Sequence, residues 1–361
     1  MSNFYFLCIT QPSNLGDLII NKMLVDELCR YGKVYVDAYK TPEAFRKELV
    51  ANQAAIDLYK EKRITAKRLD FIRLYKLVQK EKIRFYVSSP GPIEGGNRLY
   101  SFVLRLIKLT FRLAGAKAYC IGGCASSMIS SGKVFKSNGV EHYYMRSQKS
   151  VDYINSYYQE KASYIPDLAY LLTFKKEQET NTIEKRAKAI LVNFREPKEK
   201  PAKFFEWCKQ IIGSFVRQGY QVTLYYQVQG DREYVLRLYK ETQSLGVSLI
   251  DRLVWYEDLQ IYEDKSAVVS NRLHSLLVGA AYGAIPVACV SDSKLVSKIQ
   301  DVLTSSFNEL AEQITFPYYS DINNMVKAVN LVDRSAICSK VIESATLCRK
   351  VINNLVSNCE Q

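Results

Sequence analysis

The longest stretch of this chain without a charge, Ser275 to Ser291, has to be buried, and its length limits how. A helix crossing a bilayer needs about 20 apolar residues. This run is shorter and is interrupted by Gly279, Gly283 and Pro286, so it reads as a buried helix followed by a buried strand. With the apolar run Ser266 to Ser270 in front of it, the segment ending at Val290 is strand, turn, helix, turn, strand, which is a parallel βαβ unit.

The same alternation runs through the rest of the chain. Asn3 to Ile9 is a strand, Thr10 to Gly16 a loop, and a helix follows from Asp17 with Ile19, Met23, Leu24 and Leu28 at helical spacing. Gly32 ends that helix and Lys33 to Ala38 is a second strand. Further strands are expected at Arg84 to Ser88, Lys117 to Ile121 and His142 to Arg146, with a helix over Leu99 to Ala114. After the polar stretch Lys175 to Lys188, the best linker candidate, the pattern restarts. Ala189 to Phe194 is a strand, Lys203 to Gln218 a helix stopped by Gly219, and Gln221 to Tyr226 a strand. Ser335 to Cys359 reads as a closing helix. The expectation is an α/β chain of two Rossmann-like domains facing a cleft, with residues 1–174 and 188–334 as the domains and 335–361 as the C-terminal helix. In such sheets ligands bind beyond the carboxyl ends of the strands. Three strand ends carry suitable residues: Arg146, Arg195, and Arg272 with His274.

Composition narrows the partners. The apolar run Phe4 to Ile9 is too short for a signal peptide and has no basic residues ahead of it, so a cytoplasmic location is expected. Nine cysteines, an odd number without a metal-ligand pattern, read as free thiols, and no metal site is expected. The net charge is +13. Between Lys60 and Lys117, fifteen Lys or Arg face four acids, a surplus of eleven that is close to the whole excess. A one-sided basic region implies an anionic partner. No nucleic-acid-binding module is visible.

Arg272 and His274 lie at a strand-to-helix turn. The N–H groups and dipole of a helix start attract anions, an arginine there can grip a phosphate or carboxylate bidentately, and a histidine two residues on can move a proton or bind the anion. The segment from Ser266 to Val290 resembles the signature of polysaccharide pyruvyl transferases, in which a strand leads into an Arg-Leu-His-Ser/Ala helix and then a Gly-x-Pro-Val strand. Other landmarks follow in order. Ser13-Asn14-Leu15-Gly16-Asp17 resembles the family's Asn-x-Gly-Asp loop. Arg146-Ser-Gln-Lys-Ser150 resembles its Arg-Asp-x-x-Ser turn, with Ser147 in place of Asp. Asp167-Leu-Ala-Tyr170 resembles its Asp-Pro-Ala-Phe element, with Leu168 in place of Pro. The resemblance runs from Asn14 to Val290.

The resemblance implies a GT-B-like fold and a pyruvyltransferase that moves the group of phosphoenolpyruvate onto a sugar as a ketal. Phosphoenolpyruvate is a co-substrate, and no cofactor is expected. His274 is the candidate acid. Arg272, the Leu273 backbone, His274, Arg195 and Arg146 are the candidate donor contacts, and Asn14, Asp17, Ser89 and Glu94 the candidate acceptor contacts. The acceptor is expected to be a lipid-linked saccharide of surface polysaccharide or capsule synthesis, at the inner face of the cell membrane. Bland assignments compete at several positions: an ion pair for Arg195 and Arg146, a helix cap for Asp17, a solvated loop acid for Glu94. A nucleotide-sugar glycosyltransferase and a non-catalytic protein binding anionic glycans or membranes are the rival functions. In the helix Leu99 to Ala114, Ser101, Arg105, Lys108 and Arg112 form one stripe among apolar residues. That is the pattern of a helix lying on an anionic membrane surface, or of a packed helix whose basic stripe faces water.

Overall fold

The computed structural model describes residues 2–38, 41–60, 70–92, 98–125, 139–173, 187–290 and 293–358. Glu94 and residues 175–186 of the expected linker lie outside the described residues. The chain divides into two compact units. The first comprises 1–12, 17–168 and 347–361, and the second 13–16 and 169–346.

The first unit is built on β1 (Asn3–Leu7), α1 (Leu15–Leu28), β2 (Val34–Asp37), α2 (Glu43–Leu49), β3 (Ala55–Asp57), α3 (Phe71–Lys80), β4 (Ile83–Ser88), β5 (Gly91–Pro92), α4 (Arg98–Leu113), β6 (Lys117–Cys124), β7 (Val140–Met145), α5 (Gln148–Asn155) and β8 (Ala162–Tyr164). Its sheet runs β3-β2-β1-β4-β6-β7-β8, with β5 beside β6, and every pairing is parallel. Parallel strands covered on both faces read as continuous apolar runs, which is why Phe4 to Leu7 are all buried. Helices α3 and α4 cover one core, in which Leu74, Val78, Ile107 and Phe111 meet Tyr5 and Tyr86.

The second unit contains β9 (Ala189–Asn193), α6 (Pro201–Arg217), β10 (Gln221–Tyr226), α7 (Arg232–Thr242), β11 (Ser248–Leu253), β12 (Ala267–Ser270), α8 (Leu273–Ala281), β13 (Ile285–Val290), α9 (Ser293–Phe307), α10 (Leu310–Ile314), β14 (Thr315–Pro317), α11 (Ile322–Leu331) and the start of α12 (Arg334–Ser357). The sheet order is β11-β10-β9-β12-β13-β14, all parallel. Counted within the unit, the third, second and first strands are followed by the fourth, fifth and sixth, which is the doubly wound Rossmann order. Helix α6 opens with Pro201 in its first turn and is followed by Gly219 at φ +80°, the usual proline-in, glycine-out asymmetry. In α8, a Cβ on Gly279 would lie 2.4 Å from Val268 Cγ2, so glycine there lets the helix close onto β12.

The expected strands and helices are present with ends shifted by a few residues. The sequence reading missed β5, the two-residue strand beside β6, and the four strands at the sheet ends, β3, β8, β11 and β14. The closing helix is α12, and from Leu347 onward it is grouped with the first unit. There Cys348 Sγ donates to Pro166 O at 3.4 Å and Arg349 pairs with Glu27 at 3.3 Å. Among the described residues no helix is long and apolar enough to cross a membrane.

Candidate functional site

Each sheet reverses its strand order once, at β1/β4 in the first unit and at β9/β12 in the second, and ligands of such sheets bind beyond these switch points. In the second unit, β9 and β12 end side by side at Asn193 and Ser270. Ser270 Oγ donates to Asn193 O at 2.6 Å and accepts from Arg272 N at 2.9 Å. The Asn271 amide locks the neighbouring end: its Oδ1 accepts from Arg195 N at 2.7 Å and its Nδ2 donates to Arg195 O at 2.8 Å. Arg195 and Arg272 are thus presented from adjacent, mutually bonded strand ends.

Arg272 precedes α8, whose N-terminus has no side-chain cap. Its Nε donates to Asp231 Oδ2 at 2.8 Å and its Nη2 donates to Oδ1 of the same carboxylate. The Arg272 side chain remains 20% exposed, whereas that of Asp231 is 3% exposed. Burial pushes the Asp231 carboxyl above its ordinary pKa, against the opposing pull of Arg272 and then Arg195. One edge of the Arg272 fork is therefore held by a carboxylate that ionises reluctantly. Asp231, just ahead of α7, is the residue that sequence reasoning missed. The available signal was an Asp at a helix start, and its side chain makes no cap bond there.

His274 sits half-buried in the first turn of α8, against the loop 13–16. A Cβ on Gly16 would lie 2.4 Å from His274 Nδ1, so only glycine fits that contact. The loop is fixed by Leu15 N donating to Gln227 O at 3.0 Å, Gln229 N donating to Ser13 O at 3.2 Å, and the bridge between Asn14 and Val228. Asn14 Oδ1 accepts from Gly16 N at 3.0 Å. Asn14, expected on the acceptor side with the first half, is grouped with the second unit, on the same loop that Gly16 sets against His274. The grouping follows from the loop's backbone bonds to the residues after β10.

At the first unit's switch point, Ser89 N donates to Leu7 O at 2.8 Å and Ser89 Oγ donates to Asn21 Oδ1. Asn21 Nδ2 reaches Asp17 O at 2.6 Å. Asp17 Oδ2 accepts from Thr10 Oγ1 at 2.8 Å and from Gln11 N at 3.1 Å, so it ties down the loop after β1. Asp17 and Ser89 are brought together through the buried Asn21, which sequence reasoning did not single out.

Arg146 does not join either group. Its side chain is 2% exposed, and Nη1 donates to Asp167 Oδ2 at 2.8 Å while Nη2 donates to Cys124 Sγ at 3.4 Å. Arg146, expected as a donor contact, stands in a buried ion pair, since a guanidinium enclosed in this way must be neutralised internally. Ser147 accepts from Ser150 N and caps α5, the role an Asp at that position would also fill.

A family model described as polysaccharide pyruvyl transferase matches residues 14–293. No curated protein matches the chain by sequence. Among solved structures the chain is similar to a UDP-GlcNAc 2-epimerase from Neisseria meningitidis bound to UDP-GlcNAc, with TM-score 0.63, 10% identity, and 99% of this chain and 100% of that chain covered. It is also similar to a glycosyltransferase from Rickettsia africae, with TM-score 0.62, 10% identity, and 100% and 99% covered. At such identities the likeness is one of fold, that of two Rossmann-like domains.

Proposed function

The chain belongs to the polysaccharide pyruvyl transferase family, and from that membership we propose that it transfers the pyruvyl group of phosphoenolpyruvate to two hydroxyls of one sugar, releasing phosphate and leaving a ketal. The observation that carries this reading is the second unit's switch point, where Arg195 and Arg272 flank an uncapped helix start and His274 stands in its first turn. A donor with both a carboxylate and a phosphate calls for two cationic grips.

In this mechanism Arg272 binds one anionic group of the donor, with the Leu273 N–H beside it, and Arg195 binds the other. Asp231 holds the Arg272 fork in plane. His274 gives a proton to C3 of the enol, C2 becomes oxocarbenium-like, and the first sugar hydroxyl adds to C2, its proton returning to His274. The C2–O bond to phosphate then breaks. The second hydroxyl closes the ketal, its proton leaving with the phosphate. The acceptor is assigned to the Asp17 and Ser89 end of the first unit, and its saccharide is lipid-linked.

The reading is tested by incubating the protein with phosphoenolpyruvate and lipid-linked saccharides, following pyruvyl addition by mass and phosphate release. Addition without phosphate release, or transfer only from a nucleotide sugar, overturns it. His274→Gln separates proton transfer from binding. Turnover is expected to fall about 10²–10⁴-fold with little change in donor affinity. A loss confined to affinity reassigns His274 to phosphate binding.

A further inference from the structure

Helix α4 is amphipathic in an unusual sense, because it is apolar on two sides. Ile107 and Phe111 are buried in the core with Val103 and Leu104 packed against it. The opposite side carries Phe102, Leu106, Leu109 and Leu113, spaced four, three and four residues apart on one stripe. Phe102 is 55%, Leu109 49% and Leu113 70% exposed. Helix α3 packs on the same core, its Gln79 Nε2 donating to Ala114 O at 2.8 Å just after α4. Its outer side adds Ile72 at 70% and Tyr75 at 42% exposure. Two neighbouring helices thus expose five large apolar side chains, among the exposed cations Arg73, Lys76, Lys80 and Arg112. The expected basic stripe is only partly right. Lys108 is half-buried and burial lowers its pKa, so the surface face is centred on the apolar row.

We propose that the outer face of α3 and α4 is a seat on an anionic lipid bilayer, with Ile72, Tyr75, Phe102, Leu109 and Leu113 entering the headgroup and acyl boundary. Charge decides the occupant. The face carries the exposed cations Arg73, Lys76, Lys80 and Arg112, complementary to acidic lipid, while a second copy of the chain would bring the same cations against itself. A patch that is only basic would attract phosphate groups but would not place three leucine-sized and two aromatic side chains in water. The surface stands apart from the pyruvyl-transfer reading, since vesicle binding is read without turnover.

The test is sedimentation with phosphatidylglycerol-containing and pure phosphatidylcholine vesicles at low and high salt. Wild type is expected to bind the anionic vesicles and to keep a residual fraction bound at high salt. Phe102→Ser with Leu109→Ser and Leu113→Ser should lower the partition coefficient at least about tenfold and abolish the salt-resistant fraction. Lys76→Gln with Arg112→Gln should lower it about fivefold per charge, at low salt only. Unchanged circular dichroism and melting temperature certify that the variants are folded. No binding of wild type to anionic vesicles at low salt overturns the proposal, as does wild-type binding by the serine variant. A dimer in light scattering that the serine variant dissolves, without vesicle binding, gives the face to a second copy and also overturns it.

Discussion

The ends of β7 and β12 are built from the same parts and have opposite outcomes. Each strand delivers an arginine that pairs with an aspartate, and each is followed by a helix. At β7 the pair is enclosed: Arg146 is 2% and Asp167 1% exposed, and Ser147 caps α5. At β12 the arginine keeps 20% of its side chain in solvent, and the helix start has no side-chain cap. A strand-end arginine is therefore not a site in itself. The difference is exposure: of the two, only β12 keeps an uncapped helix start and a guanidinium edge in solvent.

This contrast is open to attack from both ends. Arg146→Ala strands the Asp167 carboxylate in the core and should cost about 3–5 kcal/mol of stability, read as a lowered denaturation midpoint with an unchanged slope. Donor affinity of the folded protein should not move, and a donor-affinity loss without destabilisation would reverse the roles of the two arginines. Arg272→Lys keeps a cation beside Asp231 but loses the planar fork. Phosphoenolpyruvate affinity by calorimetry should fall by about 1.5–3 kcal/mol, roughly 10- to 150-fold, with the melting temperature nearly unchanged.

Asp231 supplies the next test. Its carboxyl is raised by burial, so it gains its proton at a higher pH than an ordinary carboxyl as acidity increases, and protonation releases the Arg272 edge. Donor affinity should therefore gain on going from pH 7 toward pH 5, relative to Asp231→Asn, by about tenfold or less. Using the difference between the two proteins cancels the donor's own titration. Parallel pH profiles would mean that Asp231 only scaffolds Arg272. The smallest effect is expected from Ser147→Ala, which removes the α5 cap at a cost of about 1 kcal/mol in stability. It should leave donor affinity untouched, because Arg146 beside it stays enclosed with Asp167.

Much of this was legible without coordinates. Apolar runs of strand length followed by helical spacing located the two sheets, because strands covered on both faces must be apolar throughout. The edge strands β3, β8, β11 and β14 escaped for the converse reason, since strands at an edge are only partly covered and carry no continuous run, and β5, a Gly-Pro pair, is too short to carry one. At the candidate site, Arg272, Leu273 and His274 were readable from a strand-to-helix turn, and Arg195 from the strand beside it. Asp231 was not, since it lies 41 residues from Arg272 and its position before α7 suggested only a cap.

The alternation of strand and helix, the presence of two sheet-forming halves, the charge surplus and the Arg-Leu-His turn are properties of neighbouring residues, and the sequence by itself determined them. Three matters were decided only by tertiary structure. They are which arginine is enclosed, which half of the fold holds the Asn14 loop, and which face of α4 meets water. Each depends on a partner far along the chain: Asp167 for Arg146, Gln227 and Val228 for the loop at Asn14, and the shared core under α3 for α4. Periodicity reports that a helix has an apolar side, but desolvation and pairing are settled by what the fold packs against it, and no local pattern encodes that contact.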